Sequence, residues 1–536
     1  MCERVRTLEV DNSNVLEYKY RLNQSLFSPS PLQINKGSRS IERKERHKKE
    51  EGKMAKAKVF FFIILVAVAF LDLLCLSIVR SDAAGSSVKF LPGFDGPLPF
   101  QLETGYIGVG ESEDVQLFYY FVKSESDPKF DPLFLWLNGG PGCSALSGLI
   151  YEIGPMTFAP LEYNGSLPTL ISHPYSWTKV ANIVFLDLPV GTGFSYATTE
   201  TAHQSNPSKA CQHAHEFLLK WLNDHQEFIS NPFYVAGDSY SGQLIPIIGQ
   251  IISQGNEYGI SPQINMKGYI LGNPLTFPLE ANYKFPFAHG MGLISDELFT
   301  SLEKNCEGES YLNINPENVK CYNNYERFNQ LTTKVNEDQI LEAQCKESNL
   351  LMPIQKEFGR SRLLVEKSKN IIGLDALPLV KCRSDWYILS KYWANDESVR
   401  DALHVRKGSL QEWSRCNKDL DYVFTRDDVI PYHLNLSIKG YRSLVYSGDH
   451  DFVIPFLSTQ AWIRSLNYSI IDEWRPWMVD DQIAGYTRSY SNKMTFATVK
   501  GGGHTAPEYK PNECLKMLRR VCSGFNVVSE YVNFIF

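Results

Sequence analysis

This sequence predicts an α/β fold built on a mainly parallel sheet. Three features carry the prediction. Between about residue 117 and residue 273, short apolar runs that end in turn residues alternate with stretches whose apolar residues recur at helical spacing. Phe233–Gly242 reads as a strand, a sharp turn and the start of a helix in close succession. After a break, the strand rhythm resumes at Arg442–Tyr446 and Met494–Val499. Such alternation implies a sheet covered by helices on both faces.

The chain begins with a segment that does not belong to that pattern. Residues 1–53 are polar and end in the basic run Arg43–Lys49, with no hydrophobic periodicity, so they are expected to form a disordered extension. Met54–Lys58 then leads into the apolar run Val59–Val79, followed by the small residues Ser81, Ala83 and Ala84. That layout predicts a secretory signal peptide over 54–84. The run is long enough for a retained membrane anchor, but Asp72, Cys75 and the small residues after it favour removal. The membrane is therefore met only through this segment. Residues 1–84 hold 15 Lys/Arg against 10 Asp/Glu, a net of +5, so the whole-chain charge of −7 leaves −12 for the rest. An acidic body argues against nucleic acid as a partner.

The remaining elements follow in order. Leu133–Leu137 is a predicted strand ending at Asn138-Gly139-Gly140-Pro141-Gly142, and Asn182–Leu186 is a strand ending at Asp187. Pro207–Leu222 has Phe217, Leu218, Trp221 and Leu222 on one side of a helix, with Pro207 near its start. The strand at Phe233 runs into the sharp turn and a helix over Gln243–Gly255, and Gly268–Leu271 is the next strand. Residues 85–273 thus form the first part of a core and 391–536 the second. Between them, 274–390 loses the rhythm and reads as an inserted helical cap. Its most polar stretch, Lys346–Asn370, suits a flexible or processed linker within 346–381.

The chain has 11 cysteines, most of them after residue 140, and none forms a C-x-x-C pair. That argues for disulfides in an oxidising compartment rather than zinc. With the signal segment and the sequons at Asn164, Asn435 and Asn467, it predicts a glycoprotein of the secretory pathway, destined for a vacuole or the cell exterior. No metal or cofactor is expected.

Ser239 sits at the tip of the sharp turn in Gly237-Asp238-Ser239-Tyr240-Ser241-Gly242. An α/β-hydrolase holds its nucleophile on such an elbow, with Gly-x-Ser-x-Gly as the usual pattern. Here Ser241 takes the second glycine position. A serine needs a base, and the base needs an orienting carboxylate, in the chain order Ser, Asp, His. Gly503-His504 follows one late strand and supplies the base. Gly448-Asp449-His450-Asp451 follows another, and either Asp449 or Asp451 could be the acid. The oxyanion needs backbone N–H donors. Tyr240 supplies one, and the glycine turn Asn138–Gly142 can supply another.

Together, Trp136–Ser144, the elbow, Gly448–Asp451 and Gly503-His504 resemble the plant serine carboxypeptidase-like proteins of the S10 peptidase family, from about Val88 to Phe536. The resemblance implies an α/β-hydrolase fold with Ser239 as nucleophile, Asp451 as acid and His504 as base. It places Gly140 and Tyr240 as oxyanion donors and Asn138, Gly139 and Asp238 against substrate. It implies the disulfides Cys143–Cys416, Cys306–Cys321 and Cys345–Cys382, leaving Cys211, Cys514 and Cys522 unassigned. It also implies that a cut linker would leave two disulfide-linked chains. Carboxypeptidases of the family carry a glutamate where this chain has Asp238. The aspartate and its flanking strings look like the acyltransferase branch, which moves an acyl group from a 1-O-glucose ester to an alcohol or amine. The partners expected are thus a small acyl glucose ester and its acceptor, with a peptide as the alternative substrate. A catalytically dead binding protein is disfavoured because all the triad positions are filled.

Overall fold

The computed structural model describes residues 85–160, 163–345, 383–409 and 412–522. The extension 1–53, the signal segment 54–84 and the linker 346–381 lie outside these residues.

The sheet is mixed. Its strands are β1 (Ser86–Val88), β2 (Leu102–Val109), β3 (Val115–Val122), β4 (Leu133–Leu137), β5 (Asn182–Leu186), β6 (Tyr196–Ala197), β7 (Phe233–Asp238), β8 (Met266–Gly272), β9 (Arg442–Gly448), β10 (Ile470–Val479), β11 (Gln482–Tyr490) and β12 (Met494–Val499). Their order is β1-β2-β3-β5-β4-β7-β8-β9-β12-β11-β10, with β6 beside β3. From β5 to β12 every neighbouring pair is parallel. The flanks are antiparallel: β1, β2, β3 and β6 on one side, β10 and β11 on the other. The expectation of a mainly parallel sheet thus describes the centre only. The central strands are apolar and wholly buried because helices cover both faces, whereas β10 leaves one side in water and carries charges there.

Side chains alternate between two cores, one on each face. Phe134, Trp136, Phe185, Ala236, Ile270, Tyr446 and Val499 face one way. Leu135, Leu137, Val184, Val235, Leu271, Val445 and Phe496 face the other. The helix Pro207–Asp224 packs Phe217, Leu218 and Trp221 onto the second face. It starts where Asn206 accepts the Lys209 N–H and Pro207 fills a position that needs no donor. The helix Ile245–Glu257 lies beside it.

Between β8 and residue 345 the described residues hold α-helices at Lys284–Gly290, Asp296–Asn305 and Val319–Thr332, and no strand. They share a separate small core of Phe285, Phe287, Leu302 and Phe328, which reaches the main body at Phe452. The disulfide Cys306–Cys321 closes this unit. Arg383–Ala394 belongs elsewhere: Trp386, Leu389 and Trp393 are buried in the first face's core. This helix straddles residue 390, so the packing unit of the insertion ends before it.

Candidate active site

Parallel pairing brings the functional turns to one end of the sheet. Leu137 pairs with Gly237, Gly272 pairs with Asp238 and with Tyr446, and Gly448 pairs with Val499. The turns after β4, β7, β8, β9 and β12 therefore emerge side by side at the carboxyl ends of their strands, the usual place for a site in such sheets.

The turn after β7 is the tightest. Ser239 takes a left-handed backbone with φ 53°, a conformation that costs a non-glycine residue about 1–3 kcal/mol. It opens a single 3₁₀ turn, Ser239–Gln243, before the helix begins. Two glycines make room for the bend. A Cβ on Gly237 would lie 2.2 Å from the Leu137 carbonyl oxygen, and one on Gly242 would lie 2.5 Å from the Leu275 carbonyl oxygen. Ser241 fits where the usual pattern has glycine because its Oγ donates to the Asp238 carbonyl at 2.6 Å.

His504 Nε2 is 2.8 Å from Ser239 Oγ, and its Nδ1 is 2.8 Å from Asp451 Oδ2. Asp451 is fully buried. Its Oδ2 also accepts from Asn273 Nδ2 at 2.7 Å, and its Oδ1 accepts the Val453 N–H at 2.7 Å. Of the two aspartates left open by the sequence, Asp451 is the one on His504. Asp449 instead accepts the Gly501 N–H at 2.7 Å and so shapes the turn that carries His504. Burial alone would lower the pKa of His504, but the charge and hydrogen bond of Asp451 overcome it and hold the imidazole above its ordinary value.

Beside this row stands a polar cluster. Asp238, 3% exposed, turns its Oδ1 onto the Gly139 N–H at 3.0 Å. Burial pushes its carboxyl up to about 6, against the favourable charge of His504 and the Gly139 bond. Asn138 Oδ1 accepts from Trp136 Nε1 at 3.2 Å and from the Gly148 N–H at 3.1 Å, while its Nδ2 donates to Glu152 Oε1 at 2.8 Å. The other Glu152 oxygen is buried without a hydrogen-bond partner. Burial, reinforced by the charge of Asp238, raises the Glu152 carboxyl well above its ordinary range.

The oxyanion turn closes the arrangement. A Cβ on Gly139 would fall 2.9 Å from Ser239 Oγ and 2.8 Å from the Tyr240 nitrogen. It would also fall 2.5 Å from Ser239 Cβ, so the elbow packs directly against bare backbone at Gly139. Gly140 adopts φ 115°, which points to a backbone that only glycine takes readily. The disulfide Cys143–Cys416 fastens the end of this turn, and the Ser144 N–H donates to the Arg415 carbonyl at 2.7 Å. Tyr240 stacks on Phe424 from the same distal loop.

Glu152 and Asn273 were not singled out from sequence. Glu152 was visible as a lone carboxylate in the apolar run Leu149–Ile153, and Asn273 as a polar residue directly after β8. Cys345 is disulfide-bonded, while its expected partner Cys382 lies outside the described residues. Cys211 and Cys514 are buried free thiols. Asn164, Asn435 and Asn467 are all exposed.

The sequence pattern of the serine carboxypeptidases matches residues 92–524. The chain belongs to the serine carboxypeptidase family. Serine carboxypeptidase-like 12 of Arabidopsis thaliana is 54% identical over 447 residues, which is 83% of this chain and 95% of that protein. Serine carboxypeptidase-like 2 of the same plant is 52% identical over 468 residues, covering 87% and 99%. Among solved structures, KEX1(delta)p, a prohormone-processing carboxypeptidase of Saccharomyces cerevisiae, superposes with a TM-score of 0.64 at 21% identity, over 82% of this chain and 95% of that one. That likeness shows a shared fold. For this serine carboxypeptidase family member, among the described residues no helix is long and apolar enough to cross a membrane.

Proposed function

We propose that the protein is a serine carboxypeptidase-like acyltransferase that moves an acyl group from a 1-O-glucose ester to an alcohol or amine. Asp238 carries this reading. Its carboxyl ionises at about pH 6, so near neutrality it is an anion beside the nucleophile. An anion there accepts hydrogen bonds from sugar hydroxyls and repels the terminal carboxylate of a peptide. The aspartate is also one methylene shorter than the glutamate of the peptidase pattern, and it is already tied to Gly139.

In this mechanism His504 takes the Ser239 proton and Oγ attacks the ester carbonyl. The oxyanion lies against the N–H groups of Gly140 and Tyr240. As the tetrahedral intermediate collapses, His504 returns the proton to the leaving glucose oxygen. The acceptor hydroxyl or amine then loses a proton to His504 and attacks the acyl-Ser239 ester, and His504 passes that proton to the departing Ser239 Oγ, which regenerates the serine. Asn138 and Asp238 bind the sugar in the first half. The cap keeps water from taking the acceptor's place. The exposed sequons, the disulfides and the apolar leader support a secretory route to a vacuole or the cell exterior.

A carboxypeptidase is the second reading, and Glu152 favours it. Its raised pKa keeps the carboxyl neutral, able to donate to a peptide carboxylate beside Asn138.

The deciding assay gives the purified protein a 1-O-acylglucose with an acceptor alcohol, and separately a blocked dipeptide, at pH 5 and pH 7. Acyl transfer at pH 7 that weakens at pH 5, where Asp238 regains its proton, with no amino acid released at either value, is expected. Release of the terminal amino acid without transfer would reject the acyltransferase. Ser239→Ala should abolish whichever activity is found, and retained activity in that variant would reject the mechanism.

A further inference from the structure

We infer that Glu337–Ile340 is a positioning strap by which the cap insertion holds the acid turn and the base turn in register. This rests on the triad reading, and not on the choice between acyltransferase and peptidase.

Four hydrogen bonds join this short segment to the two turns. The Phe452 N–H donates to the Glu337 carbonyl at 2.8 Å, directly after Asp451. The His504 N–H donates to the Asp338 carbonyl at 2.7 Å. Gln339 Nε2 donates to the Gly501 carbonyl at 3.0 Å, and the Ile340 N–H donates to the His450 carbonyl at 3.2 Å. The outer residues of the strap, Glu337 and Ile340, therefore hold the loop of Asp451, and the inner ones, Asp338 and Gln339, hold the loop of His504. Gln339, 4% exposed, is its one side-chain anchor on those turns.

The strap also gives a reason for the glycine run before His504. A Cβ on Gly503 would meet the Asp338 carbonyl oxygen at 2.3 Å, and one on Gly502 would meet Gly448 Cα at 3.1 Å. Gly503 is bare so that the strap can pass against it. The strap is fixed in turn to the cap. Lys284, 7% exposed and on the first cap helix, pairs with Glu337 at 2.9 Å and lies over the rings of Tyr311 and Phe452. A displacement of the cap is thus transmitted to both partners of the His504–Asp451 pair, and misplacement by about 1 Å can cost roughly 100-fold in rate.

The test uses a fluorophosphonate, which phosphonylates an activated serine as fluoride leaves, so no natural substrate need be known. The maximal inactivation rate and the half-saturating concentration are measured for the full chain, for Gln339→Met and for Lys284→Met, with Leu312→Ser, on the exposed outer side of the cap, as control. Both strap variants are expected to lose about ten-fold in maximal rate with half-saturation unchanged and the unfolding midpoint lowered by only a few degrees. The control should react as wild type. If Gln339→Met does not fold, Lys284→Met decides. Wild-type rates in the strap variants overturn the strap, and so does a change confined to half-saturation, which would mark the segment as a wall of the binding site. Failure of the wild-type protein to label at Ser239 overturns the triad reading itself.

Discussion

Ser239 stores strain that its chemistry requires. A serine at φ 53° is held there by the strand before it and the glycines around it. Replacing it separates function from stability. Ser239→Ala and Ser239→Gly should both be inactive, but the glycine variant should be more stable than the alanine one by about 1 kcal/mol, since only glycine takes this backbone freely. Denaturant unfolding of the pair measures the difference, and an alanine variant as stable as the glycine one would remove the strain. Asp238 makes a second residue-level prediction. An unfolded aspartate ionises near 3.8, and this one, when folded, near 6. Between those values the unfolded chain has already released the proton that the folded chain keeps, so raising the pH across that window costs stability. Asp238→Asn keeps an oxygen for the Gly139 N–H and never ionises. It should therefore melt higher than wild type at pH 7, with the gap shrinking as the pH falls towards 4. Equal gaps at pH 4 and pH 7 would contradict the raised carboxyl.

At the scale of elements, the site depends on backbone approach as much as on side chains. Gly139→Ala should cost about 100-fold or more in turnover, because its methyl group would collide with Ser239 Cβ and the Tyr240 nitrogen and displace the elbow. Burst titration would show whether acylation is the step lost, and normal acylation would mean that the elbow is not displaced. The same contrast explains what could be read from sequence. The strands that position Ser239, Asp451 and His504 are apolar runs ending in glycine turns, so their places stood out. The outer strands did not. β10 carries Asp472, Glu473 and Arg475 on a half-exposed surface, and no apolar run announces it. Asn273 works through Asp451, far along the chain, and Glu152 through Asn138 across an intervening turn, links that no periodicity displays. The Glu337–Ile340 strap acts mostly through carbonyl and amide groups, which every residue possesses. Periodicity reports buried faces, and it is silent about such links.

For the whole molecule, the two described disulfides should have unequal consequences. Cys306–Cys321 spans 15 residues within the cap, whereas Cys143–Cys416 spans 273 and joins the oxyanion turn to a loop beyond the insertion. By loop-closure entropy the short bridge stabilises by about 3 kcal/mol and the long one by about 5 kcal/mol at most. Their functional weights differ further. The long bridge sits where the Ser144 N–H meets the Arg415 carbonyl and the Asn417 N–H meets the Gly142 carbonyl, so it secures the backbone of the Asn138–Gly142 turn. Cys306→Ser with Cys321→Ser should lower the melting temperature of the cap while turnover well below that temperature stays within a few-fold of wild type. Cys143→Ser with Cys416→Ser should lower both, because the freed turn loses preorganisation as well as stability. Parallel melting curves and turnover measurements at a common low temperature check this. Equal losses of turnover in the two double variants would show that the long bridge acts on stability alone.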